Sequence, residues 1–469
     1  MGSTCIIRLY YVSVFILGTG RLKQIYRFGT KTAYEASIGY WSQSDSKSKY
    51  SSHVDLLELV DKLNSSTSFV HRRWPEFCSP VQLNALIRHG IRNLGQNDII
   101  HFLSVVNKIS SRPESANHNF NDLLNTLFEL TDIVTSYEEK SLLPQGRDEQ
   151  KYVARRIYDM YSDLLVEMDV DDIYLVVSSS QRTVDSCLAF MEEWMRKTNS
   201  LQSNPPLHTN DTLIRFFDKC GKYVKEIEEQ EKVALNEYYK YQGDNFNKIS
   251  EKLSKKLNLN EEQSLSKKEV KALYMISAIE VAALKTNKVL ALFDDEDITL
   301  LEYATDLKNY WKKSFGHEIN YRQSCPLLLD VFQHLENVIQ NRNRYKAVLR
   351  FGHAETLLPL VALLGLFKDE VQLNAENQDI HADRKFRTSR ISPFSANVFF
   401  VLYECDKHIG NGISWKKDMI QVVVNEMPVV LPGCEHDFCP YETFYEQYKD
   451  ILDTCNFENI CRLQNHDEL

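Results

Sequence analysis

The sequence predicts an α/β protein: a mostly parallel sheet with helices on both faces, interrupted by an inserted all-α cap domain. Three observations predict it. Three short apolar runs, Val81 to Ile87, Ile173 to Val177 and Ala347 to Phe351, each end in a polar turn. Behind the second turn Val184, Cys187, Leu188, Met191 and Trp194 recur at helical spacing. Behind the third, Leu357, Leu358, Leu360, Val361, Leu363 and Leu364 do the same. Between these units, from about Leu213 to Lys285, the chain is rich in Glu, Lys, Gln, Tyr and Leu and has no proline, which predicts long amphipathic helices.

Strand, turn and helix repeated in this way build a sheet covered on both sides, and ligands then sit beyond the carboxyl ends of the strands. All three polar turns occupy that position, so they are expected to converge on one site. Val398 to Leu402 and Ile420 to Val424 read as two further strands, Tyr441 to Leu452 as a helix, and Ser42 to Ser52 as a surface loop. The expected division is a secretory signal over residues 1–20, a discontinuous core over 21–205 and 320–465, a helical cap over 206–319, and a retrieval signal over 466–469.

The chain has 469 residues, 43% hydrophobic and 11% aromatic, enough for a large core and an inserted domain. Charged residues make up 26% and are spread along the chain, as in a globular rather than a disordered protein. A formal net charge of −10 excludes a general nucleic-acid binder. An anionic substrate would therefore need a locally basic pocket acting against the global field.

Both ends read as addresses. Arg8 precedes the apolar run Leu9 to Gly18, which ends in Gly18-Thr19-Gly20, the order and length of a secretory signal peptide. The run is too short for a spanning helix, which needs about 20 apolar residues, so no stable membrane insertion is expected after its removal. His466-Asp467-Glu468-Leu469 is a sequence read by the endoplasmic reticulum retrieval receptor, which predicts residence in that lumen. Asn64 and Asn210 head glycosylation sequons that agree with a luminal chain. Of ten cysteines, Cys5 would leave with the signal. The odd remainder leaves at least one without an intrachain partner. Cys434/Cys439 and Cys455/Cys461 are close enough for local bridges, and no spacing fits a zinc site.

The three turns carry chemistry suited to phosphoryl groups. The first is Arg88-His89-Gly90-Ile91-Arg92, the second Ser178-Ser179-Ser180-Gln181-Arg182, the third Gly352-His353-Ala354-Glu355. A transferring phosphoryl group spreads charge over its oxygens, and arginine clamps that charge bidentately while staying protonated. Arg88, Arg92 and Arg182 would form the clamp. Neutral His89 is a competent nucleophile for phosphorus, Glu355 a candidate general acid, and His353 a hydrogen-bonding partner of the phosphoryl oxygens. Taken singly, each has an ordinary structural explanation, such as a helix-start charge for Glu355. Only the constellation favours a site.

The residues Arg88 to Arg92 resemble the signature of the histidine acid phosphatases, and His353-Ala354-Glu355 is similar to the second motif of their multiple inositol polyphosphate phosphatase branch. There glutamate stands in place of the usual aspartate. Phe28 to Thr32, Asp185-Ser186, Arg215-Phe216-Phe217, Lys385-Phe386-Arg387 and Tyr448 to Leu452 extend the resemblance over nearly the whole chain from Phe28. It implies a histidine-phosphatase-like core with His89 as nucleophile and Glu355 as proton donor. It implies also that Arg88, Arg92, Arg182 and His353 bind the scissile phosphate, that Lys31 touches a second one, and that no metal or organic cofactor takes part. The implied substrates are inositol polyphosphates such as phytate, with 2,3-bisphosphoglycerate as a further one. A broad-specificity luminal acid phosphatase and a binding protein that keeps the fold without turnover are the alternatives. The latter rests on one departure: Asn93, Leu94 and Gly95 stand where the signature usually has an aromatic, a proline and a threonine. Losing the proline's restraint predicts a less preorganised turn.

Overall fold

The computed structural model describes residues 28–34, 75, 77–111, 118–198, 203, 205–342, 345–410 and 413–463. The expected signal peptide, the Ser42 to Ser52 loop, the Asn64 sequon and the retrieval tetrapeptide lie outside them.

Eight strands are described: β1 Cys78–Arg88, β2 Ile173–Val177, β3 Leu207–Thr209, β4 Ala347–Gly352, β5 Asn397–Gly410, β6 Ile413–Val424, β7 Met427–Val429 and β8 Phe438–Pro440. They form one sheet of order β3-β2-β4-β1-β5-β6-β7, with β8 also paired to β6. The α/β class is as expected, but the sheet is mixed rather than mostly parallel. β3, β2, β4 and β1 run parallel, whereas β5, β6, β7 and β8 add antiparallel pairings. The cause is local. β5 and β6 follow each other directly as a long hairpin, and only neighbours joined by a crossover can be parallel.

Helices cover both faces because the strands are apolar on both. Leu83, Ala85 and Ile87 of β1, with Leu349 and Phe351 of β4, pack in one core with Val153 and Ile157 of α3 (Pro144–Met160) and Phe190 and Trp194 of α4 (Gln181–Lys197). Phe400 and Leu402 of β5 point the other way, into a core shared with α8 (Cys325–Ile339), α9 (Ala354–Leu363) and α10 (Tyr441–Asp453).

The helical layer is continuous with that second core and draws on two parts of the chain. α5 (Asn236–Lys256), α6 (Lys267–Ile279) and α7 (Asp295–Lys313) lie in the segment expected to be inserted. α1 (Gln96–Ser110), which follows β1 directly and precedes α2 (His118–Ser136), joins them: Ser104 Oγ and Lys108 Nζ both donate to Glu269 of α6, at 2.7 and 2.8 Å. At the other boundary the sheet continues past residue 206, since β3 pairs with β2. From Asp211 to Ala234 the chain forms short helical turns rather than one long helix.

Four disulfides are present among the described residues: Cys78–Cys405, Cys220–Cys461, Cys325–Cys455 and Cys434–Cys439. The local bridge at Cys434/Cys439 is therefore formed, but Cys455 and Cys461 do not pair with each other. Each reaches back to the helical region instead, tying the C-terminal segment down. Cys187, buried in α4, is the free thiol among the described residues. No helix among them is long and apolar enough to cross a membrane.

Candidate active site

The strand register aligns the three turns. Phe351 pairs with both Ile87 and Val177, and Arg88 pairs with Gly352, so β1, β2 and β4 end at one level. The His89 N–H donates to Gly352 O at 3.0 Å and Ser178 N–H to Phe351 O at 3.3 Å, stitching the turns together as they leave the sheet.

The first turn is held tightly from below. A Cβ on Gly90 would lie 2.3 Å from the carbonyl oxygen of Gly146, and one on Gly146 would lie 2.2 Å from that of Ile91. Glycine on both sides is thus what lets α3 meet the turn back to back. Glu149 of α3 accepts from Ile91 N–H (3.2 Å), the Ser395 hydroxyl (2.8 Å) and Tyr34 N–H (2.5 Å). Its neighbour Gln150 donates to Arg88 O at 2.8 Å.

The atypical part of the turn is anchored by other means than proline. Asn93 is fully buried, and its Nδ2 donates to the carbonyls of Val134, Tyr137 and Glu138 at 3.0, 2.9 and 3.2 Å. Its Oδ1 accepts Leu94 N–H at 2.8 Å. The expected loss of preorganisation is therefore offset: the end of α2 grips the turn through Asn93, while Leu94 is buried in the helical core.

The reactive groups sit on this support. His89 Nδ1 is 2.8 Å from Gly90 O, so Nδ1–H donates there and Nε2 keeps its lone pair. The His89 and His353 rings are 5.5 Å apart between centroids. Burial, then Arg88, Arg182, His353 and Arg92, pushes the His89 imidazole well below its ordinary pKa. That direction favours the neutral imidazole, the form in which a histidine can act as a nucleophile. His353 lies 3.2 Å from Arg182 Nη2 through Nδ1 and 2.9 Å from Ser178 Oγ through Nε2. Because the guanidinium can only donate, Nδ1 accepts and Nε2–H donates to Ser178. Burial and then Arg182 depress His353 to about 3.

Around the histidines stand cations. Arg88 is buried, with Nη1 donating to Thr30 O and Ser392 O at 2.6 and 2.7 Å and its Cζ 4.6 Å from the Phe394 ring centroid. Burial pulls Arg88 down to about 9 and Arg92 to about 10, so both stay charged at neutral and acid pH. The Nε–H groups of Arg88 and Arg182 are buried without a partner. Buried donors are normally satisfied, and these two are of the kind that an anionic oxygen satisfies well. Lys31 is brought to the same place: its Nζ is 5.4 Å from the Phe394 ring, and burial, then Arg92 and Arg88, lowers its pKa.

Among the carboxylates near this cluster, Glu355 acts on all three arginines. Glu355, in the first turn of α9, pairs with Lys313 Nζ at 2.9 Å. Burial would raise its pKa, but Lys313, His353 and Arg88 outweigh that and hold it well below the usual carboxylate range. Asn210 stands apart on the exposed edge beside Ser179, capping a short helix by accepting Leu213 N–H.

All seven residues expected at the site are thus in one place. Sequence reasoning missed Lys313, Ser178, Glu149 and Gln150. Ser178 could have been found, since it opens the second polar turn. Lys313 ends an ordinary amphipathic helix and carries no local signal.

Residues 81–425 match the family model of the histidine phosphatase superfamily (branch 2). The chain belongs to that superfamily. Within the branch it is 31% identical to multiple inositol polyphosphate phosphatase 1 of Gallus gallus over 441 residues, covering 91% of this chain and 94% of that protein. It is 30% identical to the Homo sapiens protein of that name, covering 82% of each. The fold is similar to the multiple inositol polyphosphate phosphatase of Bifidobacterium longum in complex with inositol hexasulfate (TM-score 0.65, 16% identity, 85% of this chain and 97% of that one). It is similar also to the phytase from D. castellii (TM-score 0.68, 18% identity, 83% of each). This member of the superfamily shares the fold of these structures over more than four-fifths of its length, with Leu94 held by the Asn93 side chain.

Proposed function

We propose that this enzyme hydrolyses the phosphomonoesters of inositol polyphosphates, phytate among them, through a phosphohistidine on His89, with 2,3-bisphosphoglycerate as a further substrate. The observation that carries the reading is the neutral His89 Nε2 set among Arg88, Arg92, Arg182 and Lys31, with Glu355 opposite. Arg88, Arg92 and Arg182 take the scissile phosphate, the buried Nε–H groups of Arg88 and Arg182 donating to its oxygens. His89 Nε2 then forms the N–P bond as the ester P–O bond breaks. The leaving oxygen takes the proton of Glu355. In the second half a water attacks phosphorus, its proton goes back to the Glu355 carboxylate, and His89 is freed with release of inorganic phosphate. Lys31, on the rim, is suited to a second phosphate of the same substrate.

The luminal reading is supported by four disulfides, which persist in oxidising compartments. There the retrieval receptor would read His466 to Leu469, and Asn210, exposed in the structure, would be open to glycosylation.

The test is phosphate release from phytate and from an aryl phosphate by the wild type and His89→Ala. Release from both that vanishes in the variant is expected. Aryl phosphate turnover without phytate turnover would mean a broad acid phosphatase. No release from either between acid and neutral pH would refute the reading.

A further inference from the structure

The proton donor of a phosphomonoesterase must carry a proton when the ester bond breaks, yet Glu355 is set up here as an anion. Its Oε1 accepts from Lys313 at 2.9 Å, and it lies in the first turn of α9, where the helix dipole favours negative charge. Lys313 from α7, Arg88 from the first turn and His353 from its own turn act on it most strongly; Arg92, Arg182, Lys31 and Tyr223 lie within reach of its charge, and the carboxylates of Asp218, Glu228 and Glu231 lie on the Tyr223 side. Lys313 is the one that touches it; the Lys313 side chain is 14% exposed and that of Glu355 38%, so the ammonium is largely sequestered while the carboxylate keeps access to solvent.

We propose that Lys313 is a positioning residue that parks Glu355 as a carboxylate in the substrate-free enzyme and exchanges it for a substrate phosphate, which lets Glu355 take up the proton it donates. This rests on Glu355 as proton donor to a phosphate ester. A phosphate entering between the arginines brings a dianion within reach of the same ammonium and is its stronger partner. Glu355 then loses its cation and gains anionic neighbours, and both changes favour protonation. One proton from solvent enters with the substrate, passes from Glu355 to the leaving oxygen, and is regained from the hydrolytic water. Because Lys313 closes a helix of the cap while Glu355 opens one on the core, the two must be correctly apposed for the exchange, which couples proton loading to a filled pocket.

The tests are Lys313→Met and Lys313→Gln, followed by kcat/KM against pH on an aryl phosphate and on phytate. Without the ammonium the free carboxylate binds its proton more tightly. The falling alkaline limb should move up by about one pH unit, a tenfold gain relative to each variant's own maximum, while KM rises through loss of a phosphate counter-ion. Lys313→Arg should keep the wild-type limb. In a Glu355→Gln background, assayed on the aryl ester, Lys313→Met should shift nothing. A limb that stays in place in either folded variant, or a shift that persists without Glu355, overturns the proposal. An independent measurement uses the unmodified chain. On binding myo-inositol hexasulfate, whose sulfates do not titrate in the working range, wild type should take up about one proton more than Glu355→Gln near pH 6. Equal uptake overturns the exchange. Absence of any turnover by wild type would instead remove the phosphatase reading, whereas His89-dependent turnover with an unmoved limb removes only the role of Lys313.

Discussion

Asn93→Ala tests how the proposed phosphate-binding turn is supported. The side chain offers two N–H donors, shared among the carbonyls of Val134, Tyr137 and Glu138, and one acceptor that holds Leu94 N–H. At about 1 kcal/mol net for each of these three groups, truncation should cost about 3 kcal/mol. The site is fully buried, so water cannot readily replace the lost partners. Backbone ties remain in the variant, Asn93 N–H to Ser141 O at 2.8 Å and Leu143 N–H to Ile91 O at 3.0 Å. The chain should therefore fold, with a loosened link between α2 and the turn. Arg92 adjoins Asn93 and donates to its carbonyl at 2.6 Å, so the loosening reaches the clamp. A loss of about tenfold in kcat/KM on phytate is expected, about 1.4 kcal/mol of transition-state stabilisation. Denaturant unfolding monitored by fluorescence, alongside steady-state phosphate release, measures both effects. Stability within about 0.5 kcal/mol of wild type and an unchanged kcat/KM would refute the view that Asn93 replaces the missing proline, since surface substitutions commonly do no more than that.

Glu355→Gln should lower turnover of phytate, an alkyl ester with a poor leaving group, far more than turnover of a nitrophenyl ester; equal losses across a leaving-group series would count against a proton donor. The substrate-free enzyme should lose stability as pH falls. His353 titrates at about 3 when folded against an ordinary 6.5, so the unfolded chain binds more protons between those values. The cost is about 1.4 kcal/mol for each pH unit below 6.5, until the folded value is reached. His89, shifted the same way, adds to it, and melting temperatures from pH 7 to pH 4 with and without sulfate would show both the fall and its reversal by an anion. Cys220→Ser/Cys461→Ser should cost about 2–5 kcal/mol, because that bridge spans 241 residues and pins the tail to the helical region; an unchanged unfolding midpoint would mean the tail is held by packing alone.

What the sequence made legible follows from where burial is uniform. Ile173–Val177 is buried or half-buried throughout, and its limits are those of the apolar run. β1 and β4 extend only slightly beyond their runs. β5 extends much further than Val398 to Leu402, because past Tyr403 it continues as Glu404-Cys405-Asp406, where ladder hydrogen bonds rather than apolar side chains sustain it. The mixed sheet was hidden for the same reason, since the direction of a strand leaves no trace in its composition. The disulfides show a related limit. Proximity in sequence suggested Cys455 with Cys461, but both ends of that short segment are committed to distant partners.

The site divides along the same line. Arg88, His89, Arg182, His353 and Glu355 were legible because strand ends concentrate them in turns, where polar residues next to apolar runs stand out. Lys313 lies at the end of a helix with many lysines and acquires meaning only through its distance to Glu355. The overall charge sharpens the point. A chain of net charge −10 repels polyphosphates at long range, so attraction has to be generated within the pocket. Arg88, Arg92, Arg182 and Lys31 supply it, and each has its pKa lowered by burial or by its cationic neighbours. Such a cluster is least stable when empty. Glu355 is a carboxylate that relieves it, and under the exchange proposed above an entering phosphate would take over that neutralising role. The electrostatic strain that binds the substrate is on this view the same strain that readies the proton donor, so affinity and proton loading cannot be altered independently by changing these cations.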